Sequence, residues 1–137
     1  MAQSKQFSIN DLKASTYADI PRDMEIINEA TGEGTGIILK VLSDESTTFK
    51  AYQKKIINIS RQKAAIAAKT NRPQEVETFE ETEISYNKAV AARIVGWEGI
   101  VEEYSAENAY QLVSNSESIG RQVLKCSAEP VDFMKNK

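Results

Sequence analysis

The sequence contains no histidine, and it has only one cysteine and one tryptophan among its 137 residues. Without histidine, the commonest general base and the commonest zinc ligand are both missing. The serines accordingly lack the partner that usually activates them as nucleophiles. Since Cys126 is the single cysteine, an internal disulfide is excluded. We therefore expect no enzyme, with no catalytic residue, no metal site and no cofactor.

Long apolar runs and a strong net charge are also missing. No segment approaches the ~18 consecutive apolar residues that indicate a membrane span, and residues 1–8 lack the apolar core of a signal peptide. The net charge of −3 gives no overall attraction to nucleic acids or acidic lipids. The sequence therefore predicts a cytoplasmic protein without a membrane partner.

The composition that is present is typical of one globular domain, with 41% hydrophobic and 27% charged residues. We expect an N-terminal arm over residues 1–20, either a short helix or a loosely held tail. Residues 21–130 are predicted to form a single globular domain, and residues 131–137 a C-terminal tail. The predicted class is mainly α (α+β), a helical bundle of about four helices with one N-terminal β-hairpin.

The hairpin is predicted over residues 24–42, where two apolar runs flank a glycine-rich turn. Gly32, Gly34 and Gly36 lack the Lys-Ser/Thr of a P-loop. A strand also follows them, whereas phosphate loops open a helix. These glycines are therefore interpreted as a turn. Because isolated hairpins are marginal in water, this one must pack against helices or extend a partner's sheet.

A long basic helix is predicted from a cap within residues 43–46 to about Thr70, before Pro73, with acidic residues in its first turn. Its apolar stripe contains Phe49, Tyr52, Ile56 and Ile59. No acidic residue occurs between Glu45 and Glu75. The charge of this helix suits nucleic acid, but aromatic residues that stack on bases are scarce on its polar face, so we do not expect a nucleic-acid partner.

The next segment is acidic and is predicted to be the second partner of an antiparallel helix pair. One buried stripe is predicted on this helix, consisting of Phe79, Tyr86, Val90, Ile94 and Trp97. Trp97 is then the last core residue of the helix, held between Gly96 and Gly99.

The C-terminal part is predicted to be helical as well. Ser105 has the position of an N-cap, with Glu107 in the first turn. Residues 114–117 break the helix and restart it. In the last helix, Cys126 shares an apolar stripe with Val123 and is expected in the core.

A succession of short motifs resembles one known family. These motifs are Thr31-Gly32-Glu33-Gly34, Ser43-Asp44-Glu45-Ser46, Gly96-Trp97-Glu98-Gly99, Ser105-Ala106-Glu107-Asn108, Gln122-Val123 and Phe133. In order and spacing, over roughly residues 24–133, the chain resembles the tail assembly chaperones of long-tailed (siphovirus-type) bacteriophages.

The resemblance implies a protein that binds the tape-measure protein, keeps it soluble and helps recruit tail-tube subunits. It also implies a frameshifted longer form that contacts the tail-tube protein, and a location in the host bacterial cytoplasm but not in the mature virion. Self-association is expected, in a homo-oligomer or an open spiral. The alternative is a virion structural adaptor, either a head–tail connector or a tail terminator.

The partner-binding and self-association contacts are expected on the N-terminal arm, the two charged helices and the C-terminal tail. The residues selected are Phe7, Leu12, Tyr17, Ile20, Lys54, Arg61, Glu80, Glu83, Phe133 and Met134.

Overall fold

The computed structural model describes residues 6–73 and 77–131 and has the expected class, mainly α with a smaller β part. Its elements, in chain order, are a 3₁₀ turn at Asn10–Leu12, α1 (Ala14–Ala18), β1 (Arg22–Asn28), β2 (Glu33–Val41), α2 (Thr47–Lys69), α3 (Phe79–Ala91), β3 (Ile94–Glu98), α4 (Ala106–Asn115) and α5 (Glu117–Ala128). Within the described ranges, no helix is long and apolar enough to cross a membrane.

The predicted hairpin is confirmed as β1 and β2, which pair antiparallel. The carbonyl oxygen of Asn28 accepts hydrogen bonds from the N–H groups of Thr31 (3.1 Å) and Gly32 (2.7 Å). Gly32 has φ +78°, a conformation that glycine adopts without steric cost. The glycine-rich segment is therefore a turn, as the sequence predicts.

A third strand, β3, corrects the prediction for the acidic helix. Ile94 and Trp97 do not continue that helix, because α3 ends at Ala91 and the chain enters β3 after one turn. Trp97 instead pairs with Leu39 of the central strand β2. A spacing of three fits a helical stripe, but β-branched Ile94 also suits a strand, and short apolar runs leave this choice open. Pairing with β2 buries Ile94 almost completely.

The core lies between the sheet and helices α3, α4 and α5. Its buried members are Ile26, Leu39, Val41, Val90, Ala91, Ile94, Ala109, Val113 and Val123. Cys126 packs partly buried against this cluster, in agreement with its predicted place. Burial, together with the Glu129 carboxylate, raises the pKa of the Cys126 thiol, and the charge of Arg22 opposes this increase.

Serine hydroxyls begin three of the helices. Ser105 accepts the N–H of Asn108 at 3.0 Å, which confirms the predicted cap. Ser46 accepts the N–H of Phe49 at 3.1 Å, so α2 begins one residue after the predicted cap segment. As a result no acidic residue lies in the first turn of α2, contrary to the prediction.

Candidate functional site

Helix α2 extends away from the body of the protein. Only its first turns are covered, since Phe49 is buried and Tyr52 is half-buried. Between residues 53 and 69 every residue is exposed except Ala67, which is half-buried. Because the helix has 23 residues and rises about 1.5 Å per residue, more than half of its length of about 34 Å has no packing partner among residues 6–73 and 77–131.

A polar network holds the base of α2. The Arg93 guanidinium lies 4.0 Å from the centroid of the Phe49 ring. Its Nε donates to Asp44 Oδ1 at 2.9 Å and to Ser127 Oγ at 3.1 Å. Partial burial raises the pKa of Asp44, but the hydrogen bonds from Ser127 and Arg93, with the charge of Arg93, lower it overall.

The uncovered length of α2 carries an apolar stripe, here called the basic seam and defined as Ile56, Ile59, Lys63 and Ile66. It continues the register of Phe49 and Tyr52 with alternating spacings of three and four residues, the pattern of helix-to-helix contact in coiled coils. The three isoleucines are 40–63% exposed. The predicted stripe is present, but beyond Tyr52 it is exposed and is not packed against the other helix of the predicted pair.

The start of α3 carries a second uncovered stripe, here called the acidic seam and defined as Phe79, Glu83 and Tyr86. It continues to Val90, which is buried in the core. Phe79 is 80% exposed and Tyr86 52% exposed, so the predicted buried stripe is correct only at its C-terminal end. Like the basic seam, the acidic seam begins in the core and runs outward past it.

The two seams do not meet within the chain. The exposure of both stripes shows that α2 and α3 do not pack as the predicted antiparallel pair. Lys54 and Arg61 on α2 are exposed, and so are Glu80 and Glu83 on α3. The ion pairs found among the described residues lie elsewhere, namely Lys40–Asp23, Arg93–Asp44 and Arg121–Glu29.

A groove of about 550 Å³ lies where the N-terminal segment passes the end of α5. This N-terminal groove is lined by Leu12, Ala14, Ser43, Asp44, Glu45, Ser127, Ala128, Glu129, Pro130 and Val131. Leu12, one of the predicted contact residues, is about half exposed at its edge. The carboxylates of Glu45 and Glu129 are also exposed there, and the groove combines apolar side chains with polar and acidic ones.

The other predicted contact residues of the N-terminal segment are divided between solvent and the body. Ile20 is exposed. Phe7 is half-buried, and Tyr17 is half-buried with its hydroxyl donating to the Asp11 carbonyl oxygen at 3.1 Å. Phe133 and Met134, predicted in the C-terminal tail, lie outside the described residues.

The N-terminal segment is attached to the body at its end. Ala18 is buried, and the Asp19 carboxylate accepts from the backbone N–H (2.6 Å) and the hydroxyl (2.9 Å) of Thr47. The predicted arm is therefore docked at its last residues. The sequence gives no local signal for this contact, because Asp19 and Thr47 are 28 residues apart.

Side chains occupy the outer edges of the sheet. The Gln122 amide accepts from the backbone N–H of Ile27 on β1 (2.8 Å) and donates to the Ile27 carbonyl oxygen (2.9 Å). On β3, the Ile94 carbonyl oxygen accepts from the Tyr104 hydroxyl at 2.7 Å. The hairpin therefore packs against helices, and these edge groups are not free to extend the sheet of another chain.

In the part of the chain that the structure describes, no group of three or more His, Cys, Asp or Glu side chains could hold a metal ion. The geometry instead provides exposed apolar stripes and a groove, surfaces of the kind that bind other proteins. Comparison with protein-family models, with curated proteins and with solved structures finds no match.

Proposed function

We propose that this chain is a tail assembly chaperone of long-tailed bacteriophages. In this role it binds the tape-measure protein in the host cytoplasm, keeps it soluble, and is released before the virion is complete. Copies of the chain associate with one another, and a frameshifted longer form recruits the tail-tube protein. The succession of motifs from Thr31 to Phe133 supports the family, and the exposed surfaces support a protein that binds other proteins.

The observation that carries the proposal is the open N-terminal groove beside Leu12. A partly apolar groove of this size accommodates several side chains of an amphipathic helix, as in helix-in-groove recognition. The exposed carboxylates of Glu45 and Glu129 at its edge favour client segments in which basic residues flank the apolar ones. A long helical client with many such segments would engage many copies at once.

The experiment is co-expression of the chain with the tape-measure protein of the same genome. We expect the tape-measure protein to be soluble and to co-purify with the chain, and to be insoluble when expressed alone. Leu12→Glu places a negative charge at the groove edge, where Glu45 and Glu129 are already exposed, so it should reduce the soluble client several-fold. Ile9→Glu is the matched control, because Ile9 is exposed on the same segment and does not line the groove.

Two results would contradict the proposal. A tape-measure protein that remains insoluble with the unaltered chain removes the chaperone role. Detection of the chain by mass spectrometry in purified virions, at a fixed copy number per particle, supports the virion structural adaptor instead.

A further inference from the structure

We propose that the basic seam of one copy packs against the acidic seam of a second copy. The contact joins the uncovered length of α2 to the start of α3 in a neighbouring chain. It rests on the self-association included in the proposed function and names the surfaces that produce it. Client is left out of its test, so failure of this contact and failure of client binding give different results.

The first reason is that α2 has too little cover for its length. An isolated helix depends on packing of its apolar face for most of its stability. Phe49 and Tyr52 supply this packing at the base, but Ile56, Ile59 and Ile66 have nothing against them in the described chain. Their spacing of three and four residues matches the surface that another helix would cover.

The second reason is that charge determines which helix can provide the cover. Lys63 lies in the basic seam, Lys55 and Lys69 lie beside it, and α2 contains no acidic residue. Two α2 helices face to face would bring like charges together, which is destabilising. The partner helix must therefore carry carboxylates next to its apolar residues.

The start of α3 has these features. Phe79 and Tyr86 are exposed with Glu83 between them on one face, and Glu80 lies beside that face. An antiparallel arrangement brings Lys63 beside Glu83, and the isoleucines beside Phe79 and Tyr86. The carboxylates of Glu80 and Glu83 have no ion-pair partner in residues 6–73 and 77–131, so both are available.

The third reason is that the two seams of one chain do not cover each other. α2 is held at its N-terminal end by Phe49, and α3 at its C-terminal end by Val90. Beyond these anchored ends both seams are exposed, so they do not cover each other within the described residues, and a second copy of the chain carries the complementary seam. A contact between two copies leaves one basic seam and one acidic seam unused, and such a head-to-tail contact continues into an open array unless rotation closes it.

The experiment measures mass by sedimentation velocity over a range of concentrations at low salt, without client. The unaltered chain should form oligomers that dissociate as salt is added, since ion pairs at exposed surfaces are screened. Lys63→Glu alone and Glu83→Lys alone should each weaken association by about tenfold or more, because each places like charges at the contact.

Two combinations of these variants distinguish contacts between chains from contacts within a chain. The double variant Lys63→Glu/Glu83→Lys should recover association, because the charges are exchanged as a pair. A mixture of the two single variants should form complexes that neither forms alone, a result that pairing within one chain does not give. Lys54→Glu and Glu81→Lys are matched controls on the opposite faces of the two helices and should associate like the unaltered chain. The sequence predicts a contact role for Lys54, but its place on the helix is away from the basic seam.

The proposal is overturned by an unaltered chain that stays monomeric at every concentration and salt, whether or not it binds client. It is also overturned if the controls weaken association as much as the seam variants, or if the mixture stays monomeric while the double variant associates. Circular dichroism of each variant verifies the fold, which these exposed positions should leave intact.

Discussion

At the residue scale, Arg93 connects several parts of the chain that are distant in sequence. Its side chain contacts Phe49 of α2, Asp44 before α2 and Ser127 of α5, and its backbone carbonyl oxygen accepts the N–H of Leu42 at 2.7 Å. A charged group that is mostly covered needs such partners, because burying it unpaired costs several kcal/mol. The position from which α2 leaves the body therefore depends on this side chain.

Ser127→Ala tests the network with the loss of one oxygen. The buried Ser127 hydroxyl lies 2.8 Å from the Leu42 carbonyl oxygen and 2.7 Å from Asp44 Oδ1. Its removal leaves buried acceptors with fewer partners, so we expect a loss of about 1–3 kcal/mol in the free energy of unfolding, measured by urea denaturation. Ser114→Ala, at an exposed position of α4, should change this free energy by less than about 0.5 kcal/mol. Equal losses for the two variants would contradict the role of the network.

The acid dependence of stability tests Asp44. Its pKa is lowered in the folded chain from an ordinary value of 3.8, so its ionised form stabilises the fold above that pH. This contribution is lost as the pH falls from about 4 through the folded pKa. We expect Asp44→Asn to lower the Tm at neutral pH, with a difference from the unaltered chain that shrinks below about pH 4. Glu45→Gln, at the exposed neighbouring carboxyl, should show little difference at either pH.

Residue-scale predictions from sequence succeed where the signal is local. Ser105 was identified as a cap because its partner, the N–H of Asn108, lies three residues ahead. Arg93 and Asp44 are 49 residues apart, so no local pattern of sequence indicates their contact. The assignment of Cys126 to the core succeeded because its neighbours share a helical period with it.

At the element scale, β3 shows how a helical period can be misread. Ile94 and Trp97 fit the stripe of the preceding helix, and nothing within five residues distinguishes the alternatives. The deciding contacts come from β2, which pairs Leu39 with Trp97 and Lys40 with Gly96. Gly99 then reverses the chain at φ +90°, where a Cβ would lie 3.3 Å from the Ile37 Cα. The sequence prediction places a helix end and a reversal at the two glycines, but Gly96 lies inside β3 and only Gly99 follows it, and the element was assigned to the wrong class.

The two hydrogen bonds between the Gln122 amide and the Ile27 backbone on β1 give an element-scale prediction. Gln122→Leu keeps a side chain of similar size but removes both hydrogen bonds to Ile27. The Ile27 amide should then exchange with solvent at least about tenfold faster, because its outward N–H loses its partner. NMR-detected hydrogen exchange measures this rate. Gln111→Leu on the exposed side of α4 is the control. Unchanged exchange at Ile27 in Gln122→Leu would show that these hydrogen bonds do not protect the strand.

At the scale of the whole molecule, the chain divides into a packed body and a projecting helix. The class was predicted correctly from apolar periodicity and turn residues. The projection of α2 from the body was not predicted. An amphipathic stripe looks the same in sequence whether its own chain or another chain covers it. Opposite charges on α2 and α3 suggest that they pair with each other, but both stripes are exposed along their outer lengths, so they do not cover each other within the described residues.

Hydrogen exchange across the molecule tests this division. In dilute solution, the backbone amides of residues 56–69 should exchange orders of magnitude faster than those of Leu39, Val41 and Val123. Helix ends that lack tertiary contacts open locally, whereas core amides require near-global unfolding. Exchange at residues 56–69 should slow as protein concentration rises, if copies cover the basic seam. Uniform protection at the lowest concentration would mean that the whole chain opens as one unit.

The attachment of α2 at one end gives it the mechanics of a lever. Ile66 lies 17 residues beyond the anchored Phe49, a distance of about 25 Å along a helix. A rotation of about 10° at the Arg93 network would therefore displace the far end sideways by about 4 Å. Small adjustments among Asp44, Arg93 and Ser127 are thus converted into a larger change in the position of the tip. The pitch of any array built through this helix would be set at its base, well away from the contact itself.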